Sequence, residues 1–108
     1  MKMSPARHRQ ELTPEIDRIW KQFSKAVFSP GALDAKTKQL IAVAVAHVTQ
    51  CPDCIRGHTR GAHRSGASEA ELMEAIWVAA EMRAGGAVAH SSRSLEAWPP
   101  DAGQATPK

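Results

Sequence analysis

Residues 40–48 read LIAVAVAHV, an apolar run with polar residues on both sides. The run is apolar on nearly all sides of a helix, which suits a helix surrounded by other helices better than one at the surface. A buried strand is the alternative interpretation of these β-branched residues. The chain contains no second strand-like run that could pair with it, so the stretch predicts an all-α fold.

Helix-start signals divide the preceding part of the chain. Thr13-Pro14-Glu15 places a capping side chain, a proline and an acid in the order that opens a helix, which we expect to end at about Phe28. Asp34 is the expected cap of the helix that contains the apolar run. One apolar stripe is predicted on the first of these helices, formed by Ile16, Ile19, Trp20, Phe23 and Val27.

Two further helices are predicted after residue 66. Ser68-Glu69-Ala70-Glu71 is a capping box, and the helix behind it has a broad apolar side. The segment 83–86, RAGG, is expected to interrupt the helical pattern, and residues 87–98 to form a last helix. We therefore predict a polar N-terminal arm at residues 1–12, one helical domain at 13–98 and a disordered tail at 99–108. We expect the domain to be a bundle of five or six helices that oligomerises through apolar helix faces.

Length and composition narrow the class of protein. A chain of 108 residues is large enough for one domain with its own core. It has no apolar run long enough to span a bilayer and no signal peptide, which predicts a cytoplasmic protein without a membrane partner. The net charge of +3 is mild, and the aromatic platforms of nucleic-acid readers are missing, so no nucleic-acid partner is expected.

Both cysteines lie in residues 47–65, HVTQCPDCIRGHTRGAHRS. Pro52 follows Cys51 directly, which predicts that Cys51 caps a new helix and that Cys54 lies in its first turn. Two thiols three residues apart can close a disulfide, and the positive end of a helix favours a thiolate. His58 lies four residues after Cys54, on the same helical face, where its imidazole could exchange a proton with a sulfur. This combination indicates dithiol–disulfide chemistry.

Two other interpretations of the cysteine pair stay open. Two buried and inert thiols are one, although proline and aspartate between them favour a partly exposed position. Zinc is the other, because His47, Cys51, Cys54 and His58 offer four suitable ligands. All four lie within twelve residues, however, whereas structural zinc sites usually draw ligand pairs from two separated segments. No cofactor is expected; Ile55 after the second cysteine excludes the usual c-type haem motif.

Several polar residues flank this pair. Arg56, Arg60 and Arg64 follow at four-residue spacing, which is typical of a solvated helix face but could attract an anionic partner. His63 and His90 have no evident partners in the sequence. Gln39 and Glu81 are the polar groups expected to face the site from neighbouring helices.

The arrangement K-x-L-I-A-x-A-V-A…C-x-x-C-x-x-x-H-x-x-x-A, followed by G-A-S-x-x-E-L-x-E-A, resembles the carboxymuconolactone decarboxylase superfamily and specifically its alkylhydroperoxidase D-like branch. The resemblance covers about residues 33–97. It implies an all-helical fold, homotrimers or hexamers, and a dithiol site that reduces peroxides and is itself reduced by a thiol partner such as a lipoylated carrier. It also implies that Cys54 attacks the peroxide, that Cys51 resolves the intermediate, and that His58 relays a proton.

Two residues differ from that branch. It has a glutamate twelve residues before the first cysteine, where this chain has Gln39, which can hydrogen-bond but cannot take up a proton at neutral pH. Packing like that of the superfamily would point Gln39 at His58. The branch's peroxidases also have a histidine directly before the second cysteine, where this chain has Asp53, an anion that opposes thiolate formation. The rival hypothesis is therefore a metal-binding or non-catalytic oligomeric module of the superfamily.

Overall fold

Five α-helices make up the regular structure of residues 2–101, the part of the chain that the computed structural model describes. No strand occurs within these residues, so the all-α prediction is confirmed. The tail predicted at 99–108 lies outside the described residues from position 102 onward. The helices are α1 (Pro5–Leu12), α2 (Pro14–Phe28), α3 (Ala35–Thr49), α4 (Pro52–Arg64) and α5 (Glu69–Ala97).

The first helix, α1, lies in the predicted polar N-terminal arm, where the sequence analysis assigned no helix. Ser4 caps it, its hydroxyl oxygen accepting a bond from the Arg7 backbone N–H at 3.2 Å, and the side chains of Arg7 and Glu11 form an ion pair at 3.3 Å. None of its residues is buried. A helix that buries nothing needs no apolar stripe, so no helical period marks it in the sequence.

Helix α2 has the predicted bounds but not the predicted cap. Thr13 makes no side-chain bond to α2; its hydroxyl instead donates to the Arg9 carbonyl at 3.1 Å and closes α1. Asp17, the one buried residue of α2, lies beside two cations, Lys21 Nζ at 2.7 Å and Arg9 Nε at 3.8 Å. These cations offset the cost of burying a carboxylate and tie α1 to α2.

Helix α3 packs against α4 and α5, and small side chains form the centre of this contact. Asp34 caps α3 as predicted, its carboxylate accepting the Thr37 backbone N–H at 2.8 Å. The apolar run was expected to be surrounded by other helices, but only one side of it is covered within the described chain: Ile41, Val45 and Val48 remain 39–52% exposed. The buried apolar residues are Val43, Ala46, Ala62 and Ala79.

Helix α5 is continuous, so the predicted interruption at residues 83–86 is wrong. A glycine in a helix costs about 1 kcal/mol relative to alanine, but it keeps its backbone N–H and does not block the helix as proline does. The 29 residues of α5 carry it well past the α3–α4 contact. From Ala80 to Ala97 every residue is exposed, and the molecule measures 70 × 37 × 29 Å.

An ion pair between Lys36 and Glu71 joins the first turns of α3 and α5. Lys36 Nζ lies 2.8 Å from a Glu71 carboxylate oxygen, while the other oxygen accepts the Ser68 backbone N–H at 2.9 Å in the predicted capping box. The hydrogen bond from Lys36 lowers the pKa of Glu71 below its usual value, and the same bond raises the pKa of Lys36.

None of the helices in residues 2–101 combines the length and the apolar character that crossing a lipid bilayer requires.

Candidate active site

The turn between α3 and α4 places the two cysteines. Gln50 is the C-cap of α3; its φ of 57° is left-handed, and the chain then turns into Cys51. Cys51 is the N-cap of α4 and Pro52 its first helical residue, as predicted. The Cys54 backbone N–H donates to Cys51 Sγ at 3.2 Å, so an unpaired amide at the helix start is directed at a sulfur.

Cys51 and Cys54 are joined by a disulfide, with their Cα atoms 5.2 Å apart. The two sulfur-bearing residues differ in accessibility, because Cys54 is exposed and Cys51 is half-buried. A molecule arriving from solvent therefore reaches Cys54 more readily than Cys51.

A histidine one turn after Cys54 on α4 is bonded to an amide on α3. His58 Nδ1 lies 2.8 Å from Gln39 Oε1, and both residues are half-buried. With the amide oxygen as acceptor, Nδ1 carries the donated proton and Nε2 has a free lone pair. The contact predicted from the superfamily's packing is therefore present. It holds the imidazole in a tautomer that can accept a proton on Nε2.

Two residues that the sequence did not single out contact this histidine–amide pair. The Phe28 ring, at the end of α2, stacks on the His58 imidazole with centroids 4.8 Å apart. Gly61, one turn after His58 on α4, lies against the Gln39 side chain. No local pattern marks Phe28, since its contact spans 30 positions of sequence. Gly61 could have been noticed as a glycine inside a helix, which often marks a close approach.

The remaining candidates, His47, Asp53 and Glu81, make no bond to the cysteines, His58 or Gln39 within the described residues. His47 Nδ1 is 2.8 Å from the Val43 carbonyl of its own helix. The Asp53 side chain is 96% exposed and lies 3.3 Å from Arg56. Asp53 therefore extends into solvent, where water and Arg56 weaken its effect on the thiols. Glu81 is also exposed.

The zinc hypothesis finds no geometric support. Within residues 2–101 no group of three or more histidine, cysteine, aspartate or glutamate residues is arranged to hold a metal ion. Of the four candidate ligands, Cys51 and Cys54 are bonded to each other, and His58 is engaged with Gln39. This arrangement suits redox chemistry better than tetrahedral zinc, which needs thiolates.

The sequence model of the carboxymuconolactone decarboxylase family matches residues 14–97. The chain belongs to this family. The match includes α2 to α5 and with them every residue of the site described above. The resemblance seen in the motif therefore extends over most of the chain.

The chain is also similar to individual proteins and solved structures, one of which is named as a member of this family. A Paracoccus denitrificans protein, uncharacterised protein 4 in the cox locus, is 65% identical over 80 residues, which are 74% of this chain and 72% of that protein. A Methanobacterium thermoautotrophicum crystal structure has 41% identity and a TM-score of 0.73 over 77% of this chain and 93% of that one. A Thermotoga maritima family member, whose description suggests a part in the antioxidative response, has 32% identity and a TM-score of 0.57 over 78% and 95% of the two chains.

A second feature of the surface is an open groove of about 630 Å³ where α4 meets α5. Arg60 and Arg64, two of the three arginines at four-residue spacing, line the groove. Neither cysteine lines it, and His58 does not line it. The groove is therefore separate from the candidate redox site. Its lining residues are Thr59, Arg60, Ala62, His63, Arg64, Ala67, Ser68, Glu69 and Leu72.

Proposed function

We propose that this chain is a thiol–disulfide oxidoreductase that reduces organic hydroperoxides with Cys54 and Cys51. The observation that carries the proposal is the Cys51–Cys54 disulfide at the start of α4, with the His58 imidazole one helical turn after Cys54 and bonded to Gln39. The part in the antioxidative response that is suggested for the Thermotoga maritima relative supports the same chemistry. Family membership alone does not select it, because members of one fold can catalyse different reactions.

Peroxide reduction starts from the dithiol form. His58 Nε2 accepts the Cys54 proton, and the thiolate attacks one peroxide oxygen. The O–O bond breaks, the alcohol leaves after taking up a proton, and Cys54 becomes a sulfenic acid. The Cys51 thiol then displaces water from that sulfur and forms the disulfide. The two electrons that reduce the peroxide thus come from the two thiols.

A dithiol reductant of the lipoyl type restores the thiols. Its thiolate attacks the exposed Cys54 sulfur and Cys51 leaves as a thiolate, which the Cys54 N–H and the positive end of α4 stabilise. The reductant's second thiol then breaks the mixed disulfide, releases Cys54 and becomes a disulfide itself. The sulfur of the exposed Cys54 is thus the point of attack, and the sulfur of Cys51, the N-cap of α4, is the leaving group.

Self-association belongs to the same proposal. The apolar stripe of α2 is largely unpartnered in the single chain, as are Trp77 and Val78 on α5, which are 67% and 61% exposed. Contiguous apolar surface of this kind usually marks an interface. We infer that copies of the chain cover these faces in a homotrimer or hexamer. The exposed residues of the stripe are Ile16, Ile19, Trp20, Phe23 and Val27.

The test is consumption of an organic hydroperoxide with a dithiol reductant. Cys54→Ser should abolish turnover, because no sulfur remains to attack. Cys51→Ser should strongly impair it, because the sulfenic acid cannot close the disulfide. His58→Ala should slow the reaction while His63→Ala, an exposed histidine on the same helix, should not. Wild-type activity no greater than that of the double cysteine variant would contradict the proposal.

One observation favours a second candidate, a non-catalytic oligomeric module. Gln39 stands where the alkylhydroperoxidase D-like branch has a glutamate, so the imidazole lacks an anionic partner. Titration of the purified protein with a dithiol and then with peroxide separates the two candidates. Reversible interconversion of thiols and disulfide supports the oxidoreductase; a disulfide that neither reagent changes supports the module.

A further inference from the structure

The end of α2 is fixed next to the candidate site by a single lysine. Lys38 Nζ on α3 donates to the Val27 carbonyl at 2.9 Å and to the Ser29 carbonyl at 2.6 Å. These carbonyls flank Phe28 and lie at the helix end, where a cation is favoured. Lys38 directly precedes Gln39 in the chain, so one turn of α3 holds both the end of α2 and the partner of His58.

Phe28 differs from the other large apolar residues of α2. It is half-buried, whereas the five residues of the stripe are 42–69% exposed. Its ring stacks on the His58 imidazole with an interplanar angle of 27°. The aromatic contact covers one face of the imidazole, while Gln39 bonds its edge.

We propose that Phe28 is a positioning residue for His58, a role that rests on the proposed transfer of the Cys54 proton. The bond that His58 Nδ1 donates to Gln39 fixes the position of Nδ1 but does not fix the tilt of the ring plane. Stacking on Phe28 removes that freedom and excludes water from one ring face. The groups against the imidazole from α2 and α3 are a hydrocarbon ring and an amide, which do not titrate. On α4 itself the group one turn away that titrates in the reduced protein is Cys54.

The experiment measures alkylation of Cys54 by iodoacetamide from pH 5 to pH 9. The Cys51→Ser background leaves Cys54 as the sole thiol of a chain with two cysteines. Phe28→Leu should slow alkylation at neutral pH about fivefold to tenfold, the scale of an aromatic pair, and move the half-maximal rate to higher pH. Phe28→Tyr keeps the aromatic ring and should therefore show the same pH profile as the protein with Phe28. Trp98→Leu is the control, since Trp98 is an exposed aromatic residue directly after α5, outside the site and outside the faces proposed for self-association.

A second variant keeps the ring and removes its anchor. Lys38→Met should release the end of α2 and shift the pH profile in the same direction as Phe28→Leu. In NMR spectra, both variants should lose the ring-current shift that Phe28 imposes on the His58 protons. An unchanged profile in Phe28→Leu, or an equal change in Trp98→Leu, would overturn the proposal. Because alkylation needs no peroxide, the result is independent of whether peroxide is the substrate.

Discussion

Gly61 on α4 allows the Gln39 side chain to lie against the helix backbone, because a Cβ atom at position 61 would come within 2.5 Å of Gln39 Oε1. The same oxygen forms the bond with His58 Nδ1 at 2.8 Å. Gly61 is itself buried and follows His58 by three residues on the same helix. The glycine therefore makes room for the Gln39 amide where α3 and α4 approach each other at the site.

Gly61→Ala should separate the effect on the site from the effect on stability. The added methyl group meets the far end of a flexible side chain, so the Gln39 amide should swing away and lose its bond to His58. Alanine gains about 1 kcal/mol of helix propensity, and the lost hydrogen bond costs about the same. We expect little change in the free energy of unfolding by urea, but peroxide oxidation of Cys54 slowed as much as in Gln39→Ala.

Gly57→Ala is the matched control for that substitution. A Cβ atom at position 57 would meet nothing within 4 Å, although Gly57 is also inside α4. This variant should raise the free energy of unfolding by about 1 kcal/mol and leave the oxidation rate unchanged. Equal oxidation rates in Gly61→Ala and Gly57→Ala would show that the Gln39–His58 bond does not matter for the reaction.

Gln39→Glu should accelerate the peroxide step. A carboxylate beside Nδ1 stabilises the imidazolium that forms when His58 takes the Cys54 proton, which the neutral amide does less well. The gain should approach about 10²-fold, the lower end of what a well-placed acid–base group contributes. The measurement is single-turnover oxidation of the reduced protein by an organic hydroperoxide from pH 5 to pH 9. Gln39→Met, of similar size but without a hydrogen bond, should be slower than wild type; identical profiles in all three proteins would refute this role.

The sequence predicts those parts of the site that depend on neighbours within one or two helical turns. A proline after Cys51 determines where α4 begins, and spacings of three and four residues place Cys54 beside Cys51 and His58 on one face. The Gln39–His58 contact spans 19 positions, and it was predicted only because the family's packing supplied the missing helix arrangement. The stack on Phe28 depends on how α2 returns to α3, which no local signal encodes.

The wrong predictions have a common physical cause. Helix α1 and the continuous α5 are exposed over long stretches, where no buried face imposes an apolar period. Capping and backbone hydrogen bonds determine whether such segments are helical. The cost of two glycines, about 1 kcal/mol each, is too small to interrupt a long helix. Thr13 was assigned to the wrong helix because α1, which its hydroxyl closes, was not predicted.

The exposed stripe of α2 leads to a prediction about assembly. Trp20 is 63% exposed in the single chain, and Trp20→Glu would place a charge in the interface that we propose. Static light scattering should find a trimer or hexamer for wild type and smaller species for Trp20→Glu. Arg18→Ala, on the same helix but outside the stripe, should assemble normally. A stable wild-type monomer in dilute solution would contradict the proposed interface.

The Lys36–Glu71 pair predicts how stability changes with pH. Because bonding to Lys36 lowers the pKa of Glu71 below its usual 4.5, the pair stabilises the fold above that pH and loses this effect as the pH falls through the lowered value. Because the pKa of Lys36 is raised, the stabilisation by the pair is fully present below about pH 10.5 and is lost as the pH rises through the raised value.

Lys36→Met should therefore be less stable than wild type near pH 7, and the difference in stability should shrink in acid. Urea unfolding at pH 7 and pH 3 measures this difference, with the exposed Lys25→Met as control. A constant difference between wild type and Lys36→Met at both pH values would show that the lysine acts through packing of its hydrocarbon chain rather than through its bond to Glu71.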